Sequence, residues 1–168
     1  MNLQQQCLDR IENAYVVCEK HYGRKFNRPE ITFSNRMTRV AGKAIYVRVD
    51  SNIMLGKEIR LSNKLLEING RAFVEDTPGH EAAHLIAVEL YGASAMGHGS
   101  CWREVMGIIG QTASEFHKHK MPKKRKFLYS CGKTLSIIRH NRLQRGGVEY
   151  YKWLDGSVAY ASDFIQEL

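Results

Sequence analysis

The chain has little cysteine, and none of it is paired in sequence. Cys7, Cys18, Cys101 and Cys131 are far apart and form no C-x-x-C unit. That usage suits a reduced, intracellular compartment in which each thiol packs as a small apolar group. Long apolar runs are missing too. None approaches the roughly 18 residues that a membrane helix needs. The first residues, with Gln4-Gln5-Gln6, are polar, whereas a signal peptide has a charged stretch followed by an apolar one. A soluble cytoplasmic protein without a membrane partner is therefore expected. It would be associated with the nucleoid if bacterial or phage-borne, with a nuclear setting as the lesser alternative. There is no internal repeat and no low-complexity block. The most telling deficit is acidic: no Asp or Glu occurs from His117 to Arg145, a span with ten basic residues.

What is present points to one compact domain with a small appendage. The 168 residues are 43% apolar, ordinary for a globular protein, and the formal net charge of +8 favours an anionic partner, nucleic acid first. Met121-Pro122 ends a helical pattern and opens a stretch of different composition. The expected domains are 1–120 and a basic 121–168.

The chemistry is concentrated in His80-Glu81-Ala82-Ala83-His84. On a helix, residues four apart share a face, so His80 and His84 point the same way and suit a divalent ion, normally zinc. Glu81 lies beside them, where a carboxylate can act as general base toward a metal-activated water. Thr77 as N-cap and Pro78 at the first helical position predict where this helix begins, and Tyr91-Gly92 where it ends. A catalytic zinc needs three protein ligands and an open position. His98, between Gly97 and Gly99, is the favoured third ligand, because the glycines let the backbone turn the imidazole toward the helix. Glu89 is an alternative, but five residues after His84 it lies on the wrong face. His117 and His119 are poorer candidates because they lie in a lysine-rich tail.

The other elements follow from periodicity. Leu3 to Tyr22 reads as an amphipathic helix stopped by Gly23. Ile31–Phe33, Ala44–Val49 and Ile59–Leu61 read as short strands, with a turn at Ala41-Gly42 and a helical turn from Ser62-Asn63. An edge strand beside the metal helix can hold an extended substrate by backbone hydrogen bonds. Ser100 to His117 reads as a further helix capped by Ser100, with Trp102, Val105, Met106, Ile109, Ala113 and Phe116 as its apolar stripe. Trp102 is either a support for His98 or an ordinary core residue.

His80-Glu81-x-x-His84 followed by Gly97-His98-Gly99-x-x-Trp102 resembles the SprT/Spartan metalloprotease family, whose members carry HExxH and then a third-histidine segment. Downstream, Arg139-His140-Asn141-Arg142-Leu143-Gln144-Arg145-Gly146 resembles the basic segment of the family's C-terminal zinc ribbon. The resemblance covers about Ile59 to Gly156. It implies an α+β, zincin-like metalloprotease domain, in which a small mixed or antiparallel sheet accompanies the HExxH helix, with a small β-rich ribbon-like appendage. The family's ribbon usually has two cysteine pairs. Here the first place holds only Cys131, and the second, Tyr150 to Gly156, holds none. One thiolate cannot close a tetrahedral site. One catalytic Zn2+ and no second zinc is therefore expected. Leu135, Ile137, Ile138, Val148, Tyr150, Trp153 and Val158 would then replace the missing metal.

Two function classes compete. The first is a zinc endopeptidase with His80, His84 and His98 as ligands and Glu81 as base. Tyr46, Tyr91 or Tyr129 would assist the oxyanion. By resemblance, its substrates would be proteins bound or crosslinked to DNA. The second is a nucleic-acid-binding module with a structural or vestigial metal site. An intact Glu81 argues against it, because a structural site needs no base. In either case Lys123, Lys124, Arg125, Lys126, Arg139, Arg142 and Arg145 supply cations for phosphates, and Trp153 supplies a ring for bases. Single-stranded or junction-like DNA is expected ahead of sequence-specific duplex.

Overall fold

A computed structural model describes residues 2–50, 54–114, 119–122 and 125–168. The chain forms two compact units, Met1–Pro122 and Lys123–Leu168. Both helices and small sheets are present, so the class is α+β.

The first unit begins with helix α1, Leu3–Tyr22. The Asn2 side chain accepts from the Gln4 N–H at its start, and Gly23, with φ 65°, closes its end by donating to the Glu19 carbonyl. That left-handed geometry suits glycine. The apolar stripe of α1 buries Cys7, Ile11, Ala14, Tyr15 and Cys18. Three strands follow: β1 Glu30–Ser34, β2 Gly42–Arg48 and β3 Met54–Ser62. Their order is β1-β3-β2, with β1 parallel and β2 antiparallel to β3. The sheet is therefore mixed. The expected turn at Ala41-Gly42 does not join a hairpin. Strands β1 and β2 flank β3, and Gly42 is already the first residue of β2, paired with Leu61.

Ser62 ends β3 and caps helix α2, Asn63–Asn69, accepting at Oγ from the Leu65 N–H at 3.1 Å. Helix α3, Arg71–Tyr91, then runs beneath the sheet and against α1. It begins six residues before Thr77, so Thr77 is not its cap and Pro78 is not its first residue. Both are buried in its interior. Pro78 removes a backbone donor from the helix. One residue on from the Val74 carbonyl that thereby loses its donor, the Gln111 side chain donates to the Glu75 carbonyl at 2.5 Å. Gln111 packs so closely on Gly79 that a Cβ there would overlap it. After a 3-10 turn, Gly92–Ala95, comes helix α4, Ser100–Ile108. Its N-cap is Gly99, with Ser100 its first residue, and it is nine residues long. Ile109 follows as C-cap, and Gly110 takes φ 70°. Ala113 lies beyond this helix, and Phe116 lies outside the described residues. The core gathers Tyr15, Ile59, Leu61, Leu65, Phe73, Leu85, Ile86, Trp102 and Met106 between sheet and helices, all 0–1% exposed. No helix is long and apolar enough to cross a membrane among the described residues.

The second unit contains β4 Lys126–Tyr129, β5 Thr134–Ser136, helix α5 Ile137–Gln144, β6 Tyr150–Lys152, β7 Val158–Tyr160 and β8 Phe164–Glu167. One antiparallel sheet has the order β5-β4-β8, and β6 and β7 form a hairpin. Its core is small: Phe127, Tyr129, Leu135, Leu143 and Ala159, with Val148, Tyr151 and Trp153 against it. Leu135, Val148 and Trp153 pack as expected. Ile137, Ile138 and Tyr150 do not; they are exposed, Ile138 at 77%. Instead, the partly buried His140 from α5 packs against this core. Its ring stacks on Phe127 at 3.9 Å, meets Phe164 edge-on at 4.9 Å and bonds the Tyr129 hydroxyl through Nδ1 at 2.8 Å.

Candidate metal centre

Helix α3 presents His80 and His84 one turn apart, and the segment between Met96 and α4 brings His98 to them. Gly97 has φ 86°, a left-handed conformation costly for side-chain-bearing residues, and this explains the glycine before His98. The three Nε2 atoms converge: His84 to His80 is 3.2 Å, His84 to His98 3.2 Å and His98 to His80 3.0 Å. Each Nε2 carries either one hydrogen or one lone pair, so three such contacts cannot all be hydrogen bonds. A shared cation resolves the geometry. Ligand nitrogens about 2.0–2.1 Å from a tetrahedral zinc lie roughly 3.3 Å apart, and the triangle matches that spacing. The cluster can hold a metal ion.

Trp102 is wholly buried and supports all three rings. Its centroid lies 4.9 Å from that of His80, 5.4 Å from His84 in a stacked arrangement and 4.5 Å from His98 edge-on. Its indole N–H donates to the His80 carbonyl at 3.4 Å. Support for the histidines and core packing are thus one role.

Glu81 is buried, at 5% exposure, and its side chain lies against the first residue of β2. A Cβ on Gly42 would fall 2.5 Å from Glu81 Cγ and 2.6 Å from Oε1. The φ of Gly42 is not positive, so its backbone does not require glycine. The space is needed for Glu81. Sequence reasoning took Gly42 for a turn residue, and no local signal pairs it with a residue 39 positions away.

The remaining candidates are elsewhere. Glu89 accepts from the Asn27 N–H and from Arg24, apart from the cluster, and burial raises its pKa. His119 is not in a free tail. It is stacked on Phe73, with Nε2 2.9 Å from Thr77 Oγ1, so it fastens its segment to α3. His117 lies outside the described residues. Tyr91 donates to Glu104, Tyr129 belongs to the second unit, and Tyr46 packs against the first core from β2.

Of the cations expected to meet nucleic acid, Lys123 and Lys124 lie outside the described residues. Arg125 forms an ion pair with Glu167. Lys126, Arg139, Arg142 and Arg145 are exposed, Arg139 with its guanidinium 5.8 Å from the Tyr151 ring centroid. Trp153 is partly buried against the second core, whereas Tyr150 and Tyr160 form an exposed cross-strand pair.

A helix carrying two histidines and a buried glutamate, completed by a third histidine from a glycine-flanked loop, gives an α+β unit a three-histidine cluster that could hold a metal ion. The chain belongs to the SprT-like family, whose model matches residues 5–125. It is 28% identical over 167 residues to Protein SprT of Pseudomonas paraeruginosa, covering 94% of this chain and 96% of that one. It is 35% identical over 140 residues to Protein SprT of Vibrio parahaemolyticus, covering 80% and 79%. Against Protein SprT of Escherichia coli O157:H7 it is 31% identical over 154 residues, covering 88% and 87%. No solved structure matches.

Proposed function

We propose that this protein is a zinc-dependent endopeptidase of zincin-like architecture that acts on proteins bound or crosslinked to DNA. The observation that carries the reading is the convergence of three Nε2 atoms at 3.0–3.2 Å beside a buried glutamate on the same helix. A site built only to bind a metal does not need that glutamate. Three ligands also leave one position for chemistry. The chemistry a zinc ion supplies there is polarisation of a carbonyl and acidification of a water to a pKa near ~7.

The chain's own residues do the rest. His80, His84 and His98 are the ligands, and Trp102 keeps their rings in place. Glu81 takes the proton from the attacking water and returns it to the leaving amine. Gly42 leaves Glu81 the room to stand where it does. The second unit is the ribbon-like element of the family with its metal replaced by the Phe127–His140–Phe164 ring cluster. Its exposed Lys126, Arg139, Arg142 and Arg145, with Tyr150 and Tyr160, are suited to phosphates and unstacked bases.

The test is cleavage of a DNA-binding protein, with and without single-stranded DNA, by wild type and Glu81→Gln. Cleavage is expected in wild type and to rise with DNA. It is expected to fall by about three orders of magnitude or more in Glu81→Gln, because a buried general base has no substitute in an amide. Zinc content should be equal in the two. Full zinc and DNA binding without any cleavage would instead favour a nucleic-acid-binding module.

A further inference from the structure

The basic C-terminal stretch is not the only acid-free segment. Residues 31–49 contain Arg36, Arg39, Lys43 and Arg48 and no Asp or Glu. They form most of β1, the loop 35–41 and all of β2. All four cationic side chains are exposed, and none takes part in an ion pair among the described residues. Elsewhere in the first unit the cations Arg10, Lys20 and Lys57, unpaired among the described residues, are scattered, and most of the others are matched internally: Arg24 with Glu89, Lys25 with Glu19, Arg28 with Glu12 and Glu19, Arg60 with Glu58, Lys64 with Glu67 and Arg71 with Glu75. One edge of the unit thus keeps its positive charge for something outside the chain.

The backbone carrying these cations is fastened in place. Ser62 Oγ donates to the Met37 carbonyl at 2.5 Å, and the Ser62 N–H donates to the Ala41 carbonyl at 2.9 Å. The Asn63 amide donates to Asn35 Oδ1 at 2.8 Å. Pinning the main chain while leaving the cations unmatched lowers the ordering cost of binding an anion. The segment leads directly into the metal site, because Gly42 touches Glu81.

We propose that the loop 35–41 and the terminal strand β2 form a nucleic-acid phosphate track on the metal-binding unit itself, beside Glu81. Three of the four cations are arginines, whose planar forks match phosphate oxygens. Lys43 and Arg48 are an odd number of residues apart on β2, so they leave opposite faces of the strand. A uniformly charged backbone can serve both faces, whereas an extended acidic peptide would need carboxylates in a matching pattern. The segment's rings, Phe33 and Tyr46, are packed against the core. No ring is offered for base stacking, so the track takes phosphates and accepts duplex. This deepens the reading of the protein as a DNA-associated peptidase and rests on it: the track lays duplex next to the site where a bound protein would be cut.

The experiment measures binding of the full chain to a fluorescein-labelled duplex of mixed sequence between about 50 and 200 mM KCl. It compares wild type with a variant carrying Arg36→Ala, Arg39→Ala, Lys43→Ala and Arg48→Ala. At about 0.9 per phosphate contact, the slope of log K against log salt should flatten by about three to four, and affinity near 100 mM should fall tenfold or more. If the fourfold variant does not fold, Arg39→Ala alone should flatten the slope by about one. An unchanged slope, or no duplex binding by wild type, overturns the proposal. So does a loss confined to labelled polyglutamate, which would make the partner an acidic protein. The slope needs no turnover. Casein cleavage by wild type, assayed in parallel, reports on the peptidase reading separately.

Discussion

The two units solve the problem of a small fold in opposite ways. The first buries a broad core and sets beside it three histidines that could hold a metal ion. The second, a stretch of 46, has five buried apolar residues among the described ones, a size at which a metal or disulfide staple is often needed. Its cysteine is free, and a partly buried histidine stacks on Phe127 and meets Phe164 edge-on. On the proposed reading, a metal that serves chemistry must keep its ligands, whereas the work of a structural metal can pass to packing. Identical residue types therefore mean different things in the two units. Imidazoles converge on one point in the first, and a single imidazole is an aromatic filler in the second.

The sharpest way to break that contrast is Gly42→Ala. The new Cβ would overlap Glu81 and displace its carboxylate, and misplacement by about 1 Å costs roughly 100-fold in rate. The expected outcome is a kcat about 100-fold lower with zinc content unchanged. An unaltered kcat would mean that Glu81 does not depend on its place.

His140→Ala is the counterpart in the second unit. Loss of two ring contacts and the Tyr129 hydrogen bond should cost about 2–3 kcal/mol, read as a lower calorimetric melting temperature for that unit, without loss of zinc. If instead zinc is lost, the second unit holds metal after all.

Acid should distinguish the units more gently. The Arg28 guanidinium, then Lys25 and the Phe26 N–H, hold the Glu19 carboxyl down at about 2. Because the folded pKa is lowered, this group's stabilisation is complete above its unfolded value of about 4.5 and disappears as pH falls toward 2. Arg28→Ala should therefore lower stability at neutral pH and flatten the acid limb between those values, measured by urea unfolding at stepped pH.

The smallest expected effect concerns thiols. Burial pushes Cys7 and Cys18 up to about 11, so in the native chain they should not react with a thiol reagent at neutral pH. Partly exposed Cys101 and Cys131 should react faster.

Much of the metal site was legible because its signals are local. Helical spacing places His80 and His84, and Gly97 precedes His98 because the backbone takes a left-handed φ there. Both ends of α1 were readable from its stripe and Gly23. The start of α3 was not. Pro78 usually marks a first turn, but here the helix continues through it, with Gln111 bonded to the Glu75 carbonyl from 36 residues away. Strand order was also hidden, since β1 pairs with β3 past the intervening β2. The pairing of Gly42 with Glu81 and the stack around His140 arise from tertiary contact, which no periodicity records.

The most direct measurement is zinc per chain in wild type and His98→Ala, purified in parallel and analysed by mass spectrometry of the metal. One zinc per wild-type chain and essentially none in His98→Ala are expected, with the second unit's melting unchanged. Full zinc in His98→Ala, or two zinc ions in wild type, would contradict it.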